Sequence, residues 1–403
     1  MPVADTFSRQ PQLLGRSMRD HDRQVIGFPT AEVAAAADLA AVIGYIVEVA
    51  PAPFQAAAIA IKLALVLVSR NRLSGMAGGG VPLMVLIGAA CISTMFSHYY
   101  VLEGLGQYVL IALNVSSTLI LLRPTNFNRY TRALGVLSSG INVLFVIMAL
   151  AGQIPDHFGR MLYFGGAHPN LGSEIAAIGV ISLCMTFSLR PTHVVALSIP
   201  NLVACFLMQG RTGMLAIVFA VLIRLYLSVR GRGMNYLLGL VTLLLIVVPI
   251  GALLGGRTIR ADISEVLLLE DSHRGVGTGF VGRDGRWKGG IDMFLSSPLT
   301  GGGPDVFRSE AMLSPHNWFM YGIGELGALF LLVLFFMIRC VVRAYRYNSA
   351  HVLVLSPVLL MMMLNDRFMN LNAYPTLMYV FLFALASWRV VLPNRSSLRR
   401  PEV

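Results

Sequence analysis

Arginine and histidine gather in one polar stretch of this chain, Gly282–Gly327, which reads GRDGRWKGGIDMFLSSPLTGGGPDVFRSEAMLSPHNWFMYGIGELG. Arg283 and Arg286 offer guanidinium forks, which grip phosphates and carboxylates bidentately. His316 can serve as a general base, donate a hydrogen bond to a diphosphate, or simply cap the helix that follows. Asn317 stands beside it at the same helix start, where free N–H groups and the helix dipole favour anions. The chemistry these types suggest is the holding of an anion, or acid–base work, at one surface.

A second arginine of this kind is Arg211, in Gln209-Gly210-Arg211-Thr212-Gly213 between two apolar runs with almost no loop. Gly210 and Gly213 let backbone or ligand come close, while an arginine snorkelling to an interface is the plain structural alternative. His168-Pro169-Asn170 opens another apolar run, and Asp366-Arg367 precedes the last one. Trp287, Ile291 and Phe294 or Leu295 recur at helical spacing, which predicts a short amphipathic helix lying on a membrane surface with Trp287 at headgroup level. Its arginines would then at least touch lipid phosphates. Pro298–Pro304, which contains Gly303, breaks that helix. The glycine run lacks the Lys-Ser/Thr and the strand–helix frame of a phosphate loop, so nucleotide binding is excluded. It reads as a hinge between the surface helix and the next span.

Glu325 follows His316 by nine positions. In a regular helix running from His316 the two would face opposite ways, about 180° apart. Glu325 is therefore expected to partner an arginine or polar group on a neighbouring helix, with Gly324 and Gly327 permitting close approach. Glu270-Asp271-Ser272-His273 reads as a solvated charge cluster. No Asp-x-Asp pair or His-x-x-x-His step stands with it, so no metal is expected.

What positions these residues is a membrane domain. Hydrophobic residues make up 56% of the chain against 13% charged, and the mean hydropathy is +0.70. These values describe a polytopic all-α membrane protein. Cys91, Cys184, Cys205 and Cys340 all fall inside apolar runs, which speaks against disulfides and a cysteine metal site. The first 30 residues carry Arg9, Arg16, Arg19 and Arg23, and no short apolar core follows that charge, so no cleaved signal peptide is expected. The net charge of +11 reflects arginine collecting at one membrane face, not a nucleic-acid partner.

Apolar runs fall at about 31–50, 54–69, 81–98, 101–122, 133–153, 171–189, 192–209, 212–229, 235–255, 316–338, 350–364 and 373–391, or about 12 helices at about 20 residues each. Residues 1–30 and 392–403 are read as tails, 31–391 as one transmembrane domain, and 256–315 as the long outer loop. Asp38 and Lys62, at similar depth in antiparallel neighbours, are expected to form a structural ion pair. Arg70, Arg72, Arg123, Arg129, Arg132, Arg190, Arg224, Arg230, Arg232, Arg339, Arg343 and Arg346 fall on one side, as do the terminal arginines. By the positive-inside rule that side is cytoplasmic, with both termini inside. His168, Arg211, the 256–315 loop, His316 and Arg367 then lie on the outer face.

These motifs resemble the O-antigen ligase and Wzy-type polysaccharide polymerase family. The resemblance rests on Gly282-Arg283 with Trp287 four positions after the arginine, Pro298-Leu299 before a glycine run, and His316-Asn317 followed by Glu325-x-Gly327. Gly210-Arg211 opening one helix and His168-Pro169-Asn170 opening another complete it, over about residues 160–335. Gly210 stands where many relatives have serine. The resemblance implies a metal-independent, cofactor-free glycosyltransferase of the bacterial inner membrane, facing the periplasm, with a polyprenyl-diphosphate-linked glycan as donor. By position Arg211 and Arg283 match the diphosphate-contacting arginines and His316 the essential histidine. Arg286, Asn317, His168, Asn170, Arg367 and Trp287 are the further substrate-binding candidates, with Glu325, Gly210 and Gly303 as structural supports.

The expected function is a polymerase of a capsular, O-antigen or exopolysaccharide pathway, moving the growing glycan onto the next lipid-linked repeat unit. An O-antigen ligase acting on lipid A–core is the near alternative. A transporter or flippase for lipid-linked oligosaccharides is the alternative from another class; it would place its critical cations deep in helices and reach them from both sides. The expected partners are the lipid-linked glycan as donor and acceptor, the bilayer, and chain-length regulator and export proteins.

Overall fold

The computed structural model describes residues 30–46, 51–69, 80–97, 102–157, 160–164, 169–229, 283–309, 315, 317–365 and 373–388. Within them the chain forms α1 (Thr30–Ile46), α2 (Pro51–Ser69), α3 (Gly80–Phe96), α4 (Leu102–Leu121) and α5 (Phe127–Leu150). A two-residue antiparallel pair follows, β1 (Asp156–His157) with β2 (Arg160–Met161). Then come α6 (Pro169–Met185), α7 (Pro191–Leu207) and α8 (Arg211–Val229). After the predicted span at 235–255, which lies outside the described residues, come α9 (Arg283–Ser296), α10 (Val306–Ser309), α11 (Trp318–Leu326), α12 (Leu329–Asn365) and α13 (Ala373–Ser387). The fold is helical as expected, apart from the small β pair.

Two of the described helical segments, Gly104–Leu121 and Phe127–Leu150, are long and apolar enough to cross a membrane by themselves. Shorter apolar stretches of 10–17 residues surround them, in α2, α3, α6, α7, α8 and α13. Burial sorts these helices into layers. In α6 every residue from Gly172 to Met185 is buried, and in α13 every residue from Leu377 to Ala386. Helices apolar all round belong in the interior. By contrast α2, α3 and α5 present large apolar side chains outward: Leu67 is 79% exposed, Met95 79% and Leu150 78%. Such faces suit hydrocarbon rather than water. The protein is a membrane protein.

Polar side chains join these helices internally. Asn142 of α5 donates to Asn201 of α7 at 2.8 Å, Asn201 donates to Ser139 at 2.9 Å, and the Tyr163 hydroxyl donates to Asn142 at 2.9 Å. The expected Asp38–Lys62 pair forms at 2.6 Å, with both side chains buried. Lys62 also donates to the Asn114 carbonyl at 3.0 Å, to the Asn114 side chain, and to Thr118 at 2.9 Å. Tyr130 donates to the second Asp38 oxygen at 2.7 Å. A charge pair in hydrocarbon persists when its remaining donors and acceptors are met, as they are here.

Several predicted boundaries are corrected. The fifth helix starts earlier, at Phe127 rather than 133, because Asn126 supplies the turn: its side chain accepts the Arg123 N–H at 2.6 Å. The run at 316–338 is not one helix. It ends at Leu326, reverses through Gly327 (φ 58°), and restarts at Leu329. Only glycine takes that conformation without strain. The reversal is packed by Phe330 over Gly322, where any side chain would collide with the ring at 2.3 Å. Beyond it α12 is two helical stretches separated by a kink at Asn348 (φ −141°, ψ 48°), in keeping with the predicted break between the run ending at 338 and the one starting at 350. The Asn348 amide compensates by donating to the carbonyls of Leu385 at 2.8 Å and Trp388 at 2.9 Å.

Candidate functional site

Two groups of predicted site residues have their backbone or side chains in the described regions. The first surrounds the turn between α7 and α8. Helix α7 finishes with Gln209 in the left-handed region (φ 52°), and the Gly210 N–H returns to the Cys205 carbonyl at 2.8 Å. Helix α8 then begins at Arg211, so the arginine stands at a helix N-terminus with almost no loop before it.

That turn lies directly against the start of α6. A side chain at Gly210 would meet Ser173 Cβ at 2.2 Å, and one at Gly213 the Ser173 carbonyl oxygen at 2.5 Å. Ser173 in turn donates to the Asn170 carbonyl at 2.7 Å. The structure thus brings Gly210, the Arg211 backbone and Asn170 together, although 40 residues of chain separate Asn170 from Gly210. Helix α6 begins at Pro169, whose missing N–H costs nothing at a first helical position. Next to Ser173 sits Glu174, a 5% exposed carboxylate that sequence reasoning passed over. Its only signal was an acid within the first turns of an apolar helix, which is costly unless partnered.

The second group is built on α9, α11 and the segment between them. Asn317 is extended (φ −154°, ψ 119°) and its side-chain oxygen accepts the N–H groups of Phe319 at 2.9 Å and Met320 at 3.1 Å. Asn317 is therefore the cap of α11, and the helix begins at Trp318. The opposite-face angle between His316 and Glu325 assumed a helix starting at His316, so it does not apply. Pro315, two residues before the cap, is buried.

Helix α9 carries Arg283, Arg286 and Trp287 in its first turns and packs on α11. Its contact point is glycine: a side chain at Gly290 would meet the Met320 carbonyl oxygen at 3.1 Å. Met293 is buried there, while Ile291 is 40% and Leu295 64% exposed one turn apart. A helix is present where one was expected, and Ile291 and Leu295 are left exposed along it.

The glycine run is not a hinge, which corrects the sequence reading. The segment from Pro298 to Asp305 is bonded by its backbone to the end of α11. The N–H groups of Gly302 and Gly303 donate to the Gly324 and Glu325 carbonyls at 2.9 and 3.0 Å, and the Ala328 N–H donates to the Pro298 carbonyl at 2.8 Å. A side chain at Gly301 (φ 69°) would lie 2.4 Å from the Glu325 carbonyl carbon. Gly301 is glycine because backbone lies on backbone, Gly302 because a side chain there would meet Met293 Sδ at 2.5 Å, and Gly303 because its φ is 103°.

Glu325 anchors this strap. One carboxylate oxygen accepts the Asp305 N–H at 2.8 Å, and the other accepts the Tyr108 hydroxyl of α4. Tyr108 is the polar partner on a neighbouring helix. Trp318 donates to the Tyr379 hydroxyl of α13 at 3.0 Å, tying α11 to the interior.

Residues 194–336 match the O-antigen ligase family model. The match runs from α7 to the first turns of α12 and so contains both the Gly210-Arg211 turn and the α9–α11 group. It begins later than the motif resemblance, which reached back to about residue 160. Asn170, His168 and Arg367 lie outside it. A search among curated proteins finds no match.

Within the matched segment, the side chains of Arg211, Arg283 and Arg286 and all of His316 lie outside the described residues, as do His168 and Arg367 elsewhere in the chain. Among the described residues no group of three His, Cys, Asp or Glu could hold a metal ion. What the described arrangement offers chemically is the helix N-terminus of α8, at the Gly210-Arg211 motif, whereas the first N–H groups of α11 are taken by Asn317. Such a free terminus favours diphosphate-like anions.

Proposed function

We propose that this protein is a glycan polymerase of the bacterial inner membrane. It transfers a growing chain from a polyprenyl-diphosphate carrier onto the next lipid-linked repeat unit, on the periplasmic face and with both termini in the cytoplasm. The observation that carries this reading is the O-antigen ligase match over residues 194–336, which encloses the Arg211 and Arg283–His316 motifs. A diphosphate is already a good leaving group, and its departure mainly requires stabilisation of the charge it carries away. Guanidinium forks at Arg211 and Arg283 can supply that without a metal. The remaining task is to take the proton from the acceptor hydroxyl as it attacks the anomeric carbon, and His316 is the group assigned to it. Arg286, Asn317, His168, Asn170, Arg367 and Trp287 are assigned to the glycan and the lipid headgroup region, and chain-length regulator and export proteins are the proposed partners.

The description of the matched family favours one second reading, ligation of the finished glycan to lipid A–core. The two readings separate on the lipid-linked glycans of a deletion strain. A polymerase deletion accumulates single repeat units and loses long chains; a ligase deletion keeps long lipid-linked chains that are never attached. Glycan stranded on the cytoplasmic leaflet in place of either would overturn both readings in favour of a flippase.

A further inference from the structure

We propose that Tyr108 is a positioning residue for glycan transfer, acting through Glu325 to hold the Pro298–Asp305 strap and with it the angle between α9 and α11. The inference rests on the transfer reaction proposed above and adds a part of the chain, α3 and α4, that lies outside the matched segment.

Helices α3 and α4 seize the strap at several points. Tyr108 donates to one oxygen of the Glu325 carboxylate, which is 1% exposed, while the other oxygen fixes the Asp305 N–H. Asp305 is held in the left-handed region (φ 62°), a conformation that costs a non-glycine residue about 1 kcal/mol or more and persists when its surroundings impose it. The Gln107 amide donates to the Asp305 carboxylate at 3.2 Å. Ser93 lies 2.6 Å from the Thr300 carbonyl and 2.8 Å from the Glu325 carbonyl, close enough to donate to either, and Ser97 donates to the Gly302 carbonyl. Gly104 has no side chain where one would strike the Pro304 carbonyl oxygen at 2.2 Å.

The strap leaves the C-terminal end of α9, whose first turn bears Arg283 and Arg286, and crosses the end of α11, whose cap Asn317 follows His316 in sequence. It therefore sets how α9 lies against α11. Group transfer tolerates misplacement poorly; about 1 Å costs on the order of a hundredfold in rate. Loss of the Tyr108 hydroxyl leaves a buried carboxylate oxygen without that donor, and the strap relaxes.

The test uses the full-length protein in membranes, with the lipid-linked glycan extracted from the deletion strain as substrate and rates normalised to inserted protein. Tyr108→Phe is expected to lower kcat about tenfold while KM stays within about twofold, because the interaction lost matters to the transition state more than to binding. In the Glu325→Ala background Tyr108→Phe is expected to add nothing, since one residue acts through the other. Ser93→Ala should shift kcat in the same direction and less, and it is read by the same criteria should Tyr108→Phe fail to insert. Tyr347→Phe, on the exposed side of α12, should change nothing. An unchanged kcat, a change in KM alone, or additive losses in the double variant overturns the inference. If Arg283→Ala and His316→Ala also turn over at the wild-type rate, it is the proposed reaction that falls. If those two are inactive while Tyr108→Phe is fully active, only the role of Tyr108 falls.

Discussion

Two of the buried polar networks among the described residues are built from different parts. The Asp38–Lys62 cluster joins α1, α2, α4 and α5 mainly through side chains, with Asn114, Thr118 and Tyr130 closing the remaining valences. The Glu325 network joins α3, α4 and α11 to the strap largely through backbone carbonyls and N–H groups. The first is a lock between charges and lies outside the segment that matches the O-antigen ligase model. The second is a seat for a loop, and Glu325 and the strap lie inside that segment. Charge networks tolerate replacement in pairs; backbone networks depend on the absence of side chains.

Breaking the charge lock on one side should have the largest effect on stability. Lys62→Ala or Asp38→Ala is expected to cost about 3–5 kcal/mol, because a buried charge loses its counter-ion, while replacing both by apolar residues costs less than either single change. Thermal unfolding of the purified protein in detergent measures this, and additive losses in the double variant would mean the pair is not what holds these helices. Activity per folded molecule should survive the double change.

The proposed site should respond in the opposite way. Arg211→Ala, Arg283→Ala and His316→Ala are each expected to lower transfer about a hundredfold or more with insertion intact, the scale seen when one charge-stabilising group is removed. Wild-type turnover in Arg283→Ala would remove that residue from the site. Smaller again is the effect of adding a methyl group to the seat. Gly301→Ala meets the Glu325 backbone at 2.4 Å in a left-handed conformation, and is expected to cost about 1–3 kcal/mol along with activity. Gly289→Ala, in the same helix-and-strap region with open space around it, should be silent in both assays. The smallest change is Asn317→Ala, about 1 kcal/mol through loss of the α11 cap, recovered by Asn317→Ser; unequal melting of wild type and Asn317→Ser would assign the side chain a further role.

The charge lock was legible in the sequence because ionisable residues in apolar runs have few ways to be accommodated, and two of opposite sign at similar depth in adjacent helices have one. Helix starts at Pro169 and Arg211 were legible for a related reason: proline and glycine restrict or free the backbone locally. Helix α9 could be read from the recurrence of Trp287, Ile291 and Leu295. The reversal at Gly327 was not, since the apolar run continues across it unbroken and periodicity carries no sign of a turn between two helices. Nor was the seat, for its acceptors are carbonyls, which every residue has.

The residues alone therefore determined that the chain is helical and apolar, that its chemistry-bearing types collect in a few motifs, and which family those motifs resemble. Hydrophobic length, charge and local backbone preference act over a few residues and are written in order along the chain. Tertiary structure alone decided that the glycine run is a packed strap, that Glu325 faces Tyr108, and that Gly210 rests on Ser173 beside Asn170. Those facts depend on which backbones approach within van der Waals contact, and that is settled only when distant helices pack.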